Sequence, residues 1–127
     1  MTLQEQVCTL EQAKRLKELG CEQESLYAWL RFDGQWFLYE NTYWYRAACD
    51  GYVSAYTVAE LGEMLVCYQD SDGKGYDILH EIDVQLRIEQ GFDWWFSINA
   101  NVFAFPTEAQ VRAALLIHKL ETRKELQ

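Results

Sequence analysis

An α+β domain is the fold class this sequence predicts, and three observations carry it. Residues 82–89 alternate strictly, with Ile82, Val84, Leu86 and Ile88 set between Asp83, Gln85, Arg87 and Glu89. That period of two marks a strand with one buried and one wet face. Turn residues at Asp33-Gly34 and at Gly91 each separate two extended stretches, as hairpins do. Three threonines, Thr9, Thr57 and Thr107, each open a segment of helical spacing with Gln or Glu three residues on. Hairpins interleaved with helices predict an antiparallel or mixed sheet with about three helices, mainly on one face. The 127 residues suit a single compact domain spanning 1–127.

In chain order, Thr9 and Gln12 form a capping box, and Gly20 is placed to end the helix in a left-handed conformation. Ala13, Leu16 and Leu19 make a narrow apolar stripe, and Lys14, Arg15, Lys17 and Glu18 a solvated face. Residues 26–32 and 35–40 read as two strands around Asp33-Gly34. Residues 42–47 read as a third strand or an ordered loop, and 52–56 as another short extended piece. Thr57 then starts a second helix with Val58, Leu61, Met64 and Leu65 at helical spacing, although Gly62 within it costs about 1 kcal/mol relative to alanine. Residues 82–98 form the hairpin around which the other elements are expected to pack, and residues 99–101 its exit turn. Pro106 and Thr107 introduce the last helix. Its main apolar face is Ala109, Ala113, Leu116, Ile117 and Leu120, while Val111 and Leu115 lie on nearly the opposite side. That second stripe is either packed under a loop or exposed as a contact surface, and the latter predicts a homo-oligomer through Val111 and Leu115.

Composition removes several function classes. Eleven basic against 20 acidic residues leave a net charge of −9, which repels phosphate backbones and argues against a nucleic-acid partner. No apolar run approaches the ~20 residues that span a bilayer, so no membrane partner is expected. The N-terminus lacks a basic region followed by an apolar core, which predicts a cytoplasmic location. Cys8, Cys21, Cys49 and Cys67 are unevenly spaced with no C-x-x-C pair, so free structural thiols are expected.

Three patterns could carry chemistry. Asp70, Asp72, Gly75, Tyr76 and Glu81 match positions one, three, six, seven and twelve of an EF-hand loop, whose ring of hard oxygens binds Ca2+. Lys74 and Asp77 depart from that pattern, and a strand follows where an exiting helix belongs. His80 beside Glu81 makes a conceivable general acid–base pair, but no nucleophile signature accompanies it. No Gly-rich phosphate loop of Walker spacing is present. The aromatic residues are the third pattern: eleven fall between Tyr27 and Tyr56. Trp29, Trp36, Trp44, Trp94 and Trp95 cannot all be buried on one face. Adjacent Trp94 and Trp95 point to opposite sides of a strand, and Tyr27, Trp29 and Arg31 share the face opposite Leu26, Ala28 and Leu30. Rigid exposed Trp and Tyr anchor protein contacts, which selects Tyr27, Trp29, Trp36, Trp94 and Trp95 as binding residues.

The Thr9-Leu-Glu-Gln-Ala-Lys-Arg-Leu-Lys-Glu-Leu-Gly20 segment is similar to the opening of small uncharacterised proteins encoded in bacterial prophages and mobile elements. The mid-chain helix Thr57-Val-Ala-Glu-Leu-Gly-Glu-Met-Leu65 and the Ala-Leu-rich terminal helix resemble that group as well. The resemblance covers about a third of the chain, in its helices, and implies a phage-accessory setting with no particular activity. Together these readings predict a small acidic protein-interaction module with no cofactor, a modulator of a host protein. The alternative is a ligand- or calcium-binding domain using the loop from Asp70 to Glu81.

Overall fold

The computed structural model describes residues 2–66, 79–80, 94–98 and 101–125. Its elements in chain order are helices α1 (Leu3–Gln6) and α2 (Leu10–Glu18), strands β1 (Tyr27–Phe32) and β2 (Gln35–Glu40), helix α3 (Tyr43–Ala48), strand β3 (Gly51–Ala55), helix α4 (Val58–Val66), strands β4 (Leu79–His80), β5 (Trp94–Ile98) and β6 (Asn101–Phe105), and helix α5 (Glu108–Glu125). The fold is α+β. Both sheets are three-stranded and antiparallel, ordered β2-β1-β3 and β4-β5-β6. Five helices are present among the described residues, because α1 and the aromatic α3 join the three long ones. No described helix is long and apolar enough to cross a membrane.

The helix starts obey local chemistry. Thr9 Oγ1 accepts from the Gln12 N–H at 3.1 Å while Gln12 Oε1 accepts from the Thr9 N–H at 3.1 Å. Thr57 and Glu60 repeat that reciprocal pair for α4, and Thr107 Oγ1 takes the Gln110 N–H for α5. Gly20 closes α2 at φ +93°. Replacing the cap, Thr9→Ala, is expected to cost about 1 kcal/mol in urea unfolding, with Thr9→Ser close to wild type. Equal loss in both variants would refute the capping role. Gly62 is explained by a close approach. The Arg112 guanidinium of α5 lies where a Cβ at 62 would stand, donating to the Val58 carbonyl at 3.3 Å and to Glu108 Oε1 at 2.8 Å.

Residues 42–47 differ from the expected strand or loop, because α3 occupies nearly all of them. Thr42 Oγ1 accepts from the Tyr45 N–H, and the Cys49 N–H closes the turn on the Tyr45 carbonyl. The threonine cap outweighs the β preference of the neighbouring rings.

Two buried clusters meet on α5. The first joins Ala13 and Leu16 of α2, Val53 of β3, Tyr56, Leu61 of α4, and Ala109, Ala113, Leu116 and Leu120 of α5. The second joins Phe96 of β5 with Val111 and Leu115 of α5, flanked by Trp94 and Phe105. The last helix is therefore buried on two faces, one toward each cluster. This corrects the expected self-association surface: Val111 and Leu115 are covered by this chain's own β5, so they offer nothing to a second copy. Further ties hold α2 on α5, with Arg15 Nε donating to Glu121 Oε1 at 2.9 Å and Gln12 Nε2 to the Gln110 carbonyl at 2.9 Å. The expected hairpin at 82–98 falls mostly outside the described residues. Its second strand is observed as β5, which pairs with β4 and β6.

Candidate functional site

The first sheet sorts its aromatic residues by alternation. Cross-strand partners share a face, so the register Trp29↔Leu38 and Trp29↔Val53 puts Trp29, Leu38 and Val53 on one side together with Trp36. Val53 belongs to the first cluster, which makes this the inner face. Trp29 and Trp36 pack against that cluster, and the Trp29 indole N–H donates to the Cys8 carbonyl at 3.3 Å. Trp36 is further covered by Lys14, whose Nζ lies 5.2 Å from the ring centroid, and by Arg31 at 5.6 Å. Two of the five residues selected as binding anchors thus serve the interior. Trp94 packs on the second cluster, and Tyr27 is half-buried. For Trp95 the backbone register is described, opposite Leu79 and Ala104. Asp70, Asp72, Tyr76 and Glu81, the calcium alternative, lie outside the described residues. His80 pairs through its backbone with Trp94, and His118 is half-buried on α5.

The outer face carries a different set of rings. Phe37 and Tyr39 of β2 stand 6.2 Å apart between ring centroids and stack at 27°. Phe32 closes on both, at 6.2 and 6.5 Å. Tyr45 of α3 stacks on Tyr39 at 5.3 Å, extending the row from the strand to the helix. One and two residues earlier in α3, Trp44 and Tyr43 meet edge to face at 5.7 Å and project outward, 76% and 68% exposed. Phe37, Tyr39 and Tyr45 are exposed as well. The rings hold one another by offset and tilted stacking, so a partner would meet a preformed surface. Sequence reasoning did not select Phe37, Tyr39 or Tyr45. Their grouping was visible, since Gln35, Phe37 and Tyr39 share one face of β2, but Glu40 on the face of Trp36 and Leu38 leaves the wet side undecided by sequence.

A concavity of about 620 Å3 opens between the end of α2 and α4. Cys21, Glu22, Glu24, Tyr56, Glu60 and Glu63 line it. Two of its polar side chains, Tyr56 and Glu60, have structural duties. The Tyr56 hydroxyl donates to the Glu22 carbonyl and accepts from Gln23 Nε2, and Glu60 caps α4 and takes the Leu26 N–H. Burial raises the Tyr56 hydroxyl and the Cys21 thiol above their ordinary pKa values, so both are neutral near pH 7. No group of three or more metal-ligating side chains occurs among the described residues. Comparison with protein-family models, with curated proteins and with solved structures finds no match to this chain.

Proposed function

We propose that this chain is a protein-interaction module that binds its partner through the aromatic surface of β2 and α3, as a cytoplasmic phage-accessory modulator of a host protein. The observation that supports this reading is the stacked row Phe37, Tyr39 and Tyr45 with the outward Trp44 beside it. Large apolar rings left in water are costly, and a partner recovers that cost by covering them. Aromatic anchors on regular elements are also where binding energy concentrates. The net charge of −9 favours a partner with a basic surface and disfavours a nucleic acid.

The test compares capture from a bacterial lysate by the wild-type chain and by the Phe37→Ala/Tyr39→Ala/Trp44→Ala variant, with retained proteins identified by mass spectrometry. A stoichiometric partner is expected on the wild type, with affinity for the variant reduced about 30-fold or more, the size of one aromatic hot spot. Circular dichroism should show the variant folded. A partner retained equally by both proteins would place the contact elsewhere.

A further inference from the structure

The two edges of the first sheet are finished differently. At the β3 edge the outward groups are occupied: the Ser54 N–H donates to Gln23 Oε1 at 2.8 Å, and the Tyr52 carbonyl accepts from Lys17 Nζ at 3.1 Å. Among the described residues the β2 edge has no such cover. Asp33 at φ 51° and Gly34 at φ 78° form a two-residue turn whose closing pair is Phe32↔Gln35. The Asn41 N–H donates to the Leu26 carbonyl at 3.0 Å, which keeps the same parity along the hairpin. Hydrogen-bonded pairs thus fall at Gln35, Phe37 and Tyr39, and the N–H and C=O groups of Trp36 and Leu38 point away from β1. Among the described residues nothing hydrogen-bonds these outward groups. Folded proteins blunt such edges with proline, lysine or a covering segment, and β2 has none of these among the described residues.

We infer that the free edge of β2 receives an extended basic segment of another protein as an added strand. The inference rests on the interaction-module reading and names the class of partner. Backbone donors and acceptors spaced along a six-residue strand are matched by another extended backbone. Alternate side chains of the added strand would lie beside Phe37 and Tyr39 on the outer face. Charge selects the occupant. Exposed Glu40 stands at one end of β2, while Asp33 is exposed at the other, with the Asp50 carboxylate accepting its N–H at 3.1 Å. Basic side chains near the sheet are already engaged: Lys14 and Arg31 lie over Trp36, Arg31 also donates to the Asp50 carbonyl, and Lys17 and Arg46 lie over Tyr52. A second copy, carrying the same −9, is repelled; a lysine- or arginine-bearing strand is attracted.

The experiment titrates the full chain with a capped peptide of four Lys-Val repeats and follows amide exchange by NMR. The Trp36 and Leu38 amides should slow at least about ten-fold, with little change at Phe37 and Tyr39, which already bond to β1. A capped peptide of four Glu-Val repeats should leave all four unchanged. Leu38→Pro removes one outward N–H and should weaken Lys-Val binding at least about ten-fold. Should that variant misfold, the exchange data on the wild type decide alone. Equal protection by both peptides would overturn the basic partner. Protection that grows with protein concentration and no peptide would make the occupant a second copy, overturning the inference. If the aromatic variant loses its lysate partner but Trp36 and Leu38 stay unprotected with peptide, the edge inference falls and the aromatic surface stands. If neither effect appears, both fall.

Discussion

Leu115→Ala is expected to lower the unfolding free energy by about 2–5 kcal/mol, the range for removing a leucine side chain from a packed interior. Leu115 is 1% exposed and packs with Phe96 and Val111 between α5 and the second sheet. The lost contacts join β5 to the helix that both clusters share, so the loss should be uneven. Amides of Trp94–Ile98 should exchange faster before those of β1 do, because that sheet loses its support first. Urea unfolding measures the global effect, and an unchanged denaturant slope would tie it to the native packing. Light scattering should give wild type and variant the same mass. A leucine on an open surface would change stability by under about 0.5 kcal/mol and would alter association instead. That result would restore Val111 and Leu115 as an oligomer contact and refute the two-faced helix.

The two stripes of α5 were legible in the sequence; what covers the second was not. Helical spacing shows that Val111 and Leu115 point away from Ala113 and Leu116, but periodicity is silent on the neighbour. The Thr9, Thr57 and Thr107 starts and the Asp33-Gly34 turn were legible because their chemistry closes within four residues. Helix α3 was not. Thr42 carries a cap, but Tyr45 stands where a Glu or Gln would complete the box, and three consecutive rings read as strand. Its place is set by tertiary stacking, Tyr45 on Tyr39, which joins residues six apart across a change of element.

The candidate site shows the limit of alternation in a strand that is aromatic on both sides. Trp36 and Phe37 are adjacent in β2, and the sequence alone does not say which is inside. The structure decides through residues far away: Val53 and Cys8 draw Trp29 inward, and Lys14 of α2 closes over Trp36. With the larger tryptophans committed to the interior, Phe37 and Tyr39 are left in water. Trp44, which was not among the selected residues, is the most exposed large hydrophobic side chain among the described residues.

Raising the pH from about 9 to 12 is expected to unfold this protein steeply, and Cys8 is a main cause. Its thiol is fully buried, and loss of solvation pushes its pKa from 9.0 up to about 12. Glu60 and Cys21 oppose the thiolate as well, while hydrogen bonds from the backbone favour it. A folded-state pKa raised above the unfolded value means that the fold favours the protonated thiol. That contribution is fully present below about pH 9 and drains away as pH rises toward 12, on the order of 4 kcal/mol in all. Tyr56, buried in the same cluster, acts in the same direction above its ordinary value of 10.0. Lysine deprotonation across the same window is common to all variants, so the measurement compares urea unfolding of wild type and Cys8→Ala at intervals from pH 7 to 11. Cys8→Ala should start less stable, through the small cavity it leaves, and then lose stability more slowly with pH, so that the two curves converge. Parallel curves would show that the Cys8 thiol titrates alike in folded and unfolded chains, which would contradict its burial beneath Trp29 and Tyr56.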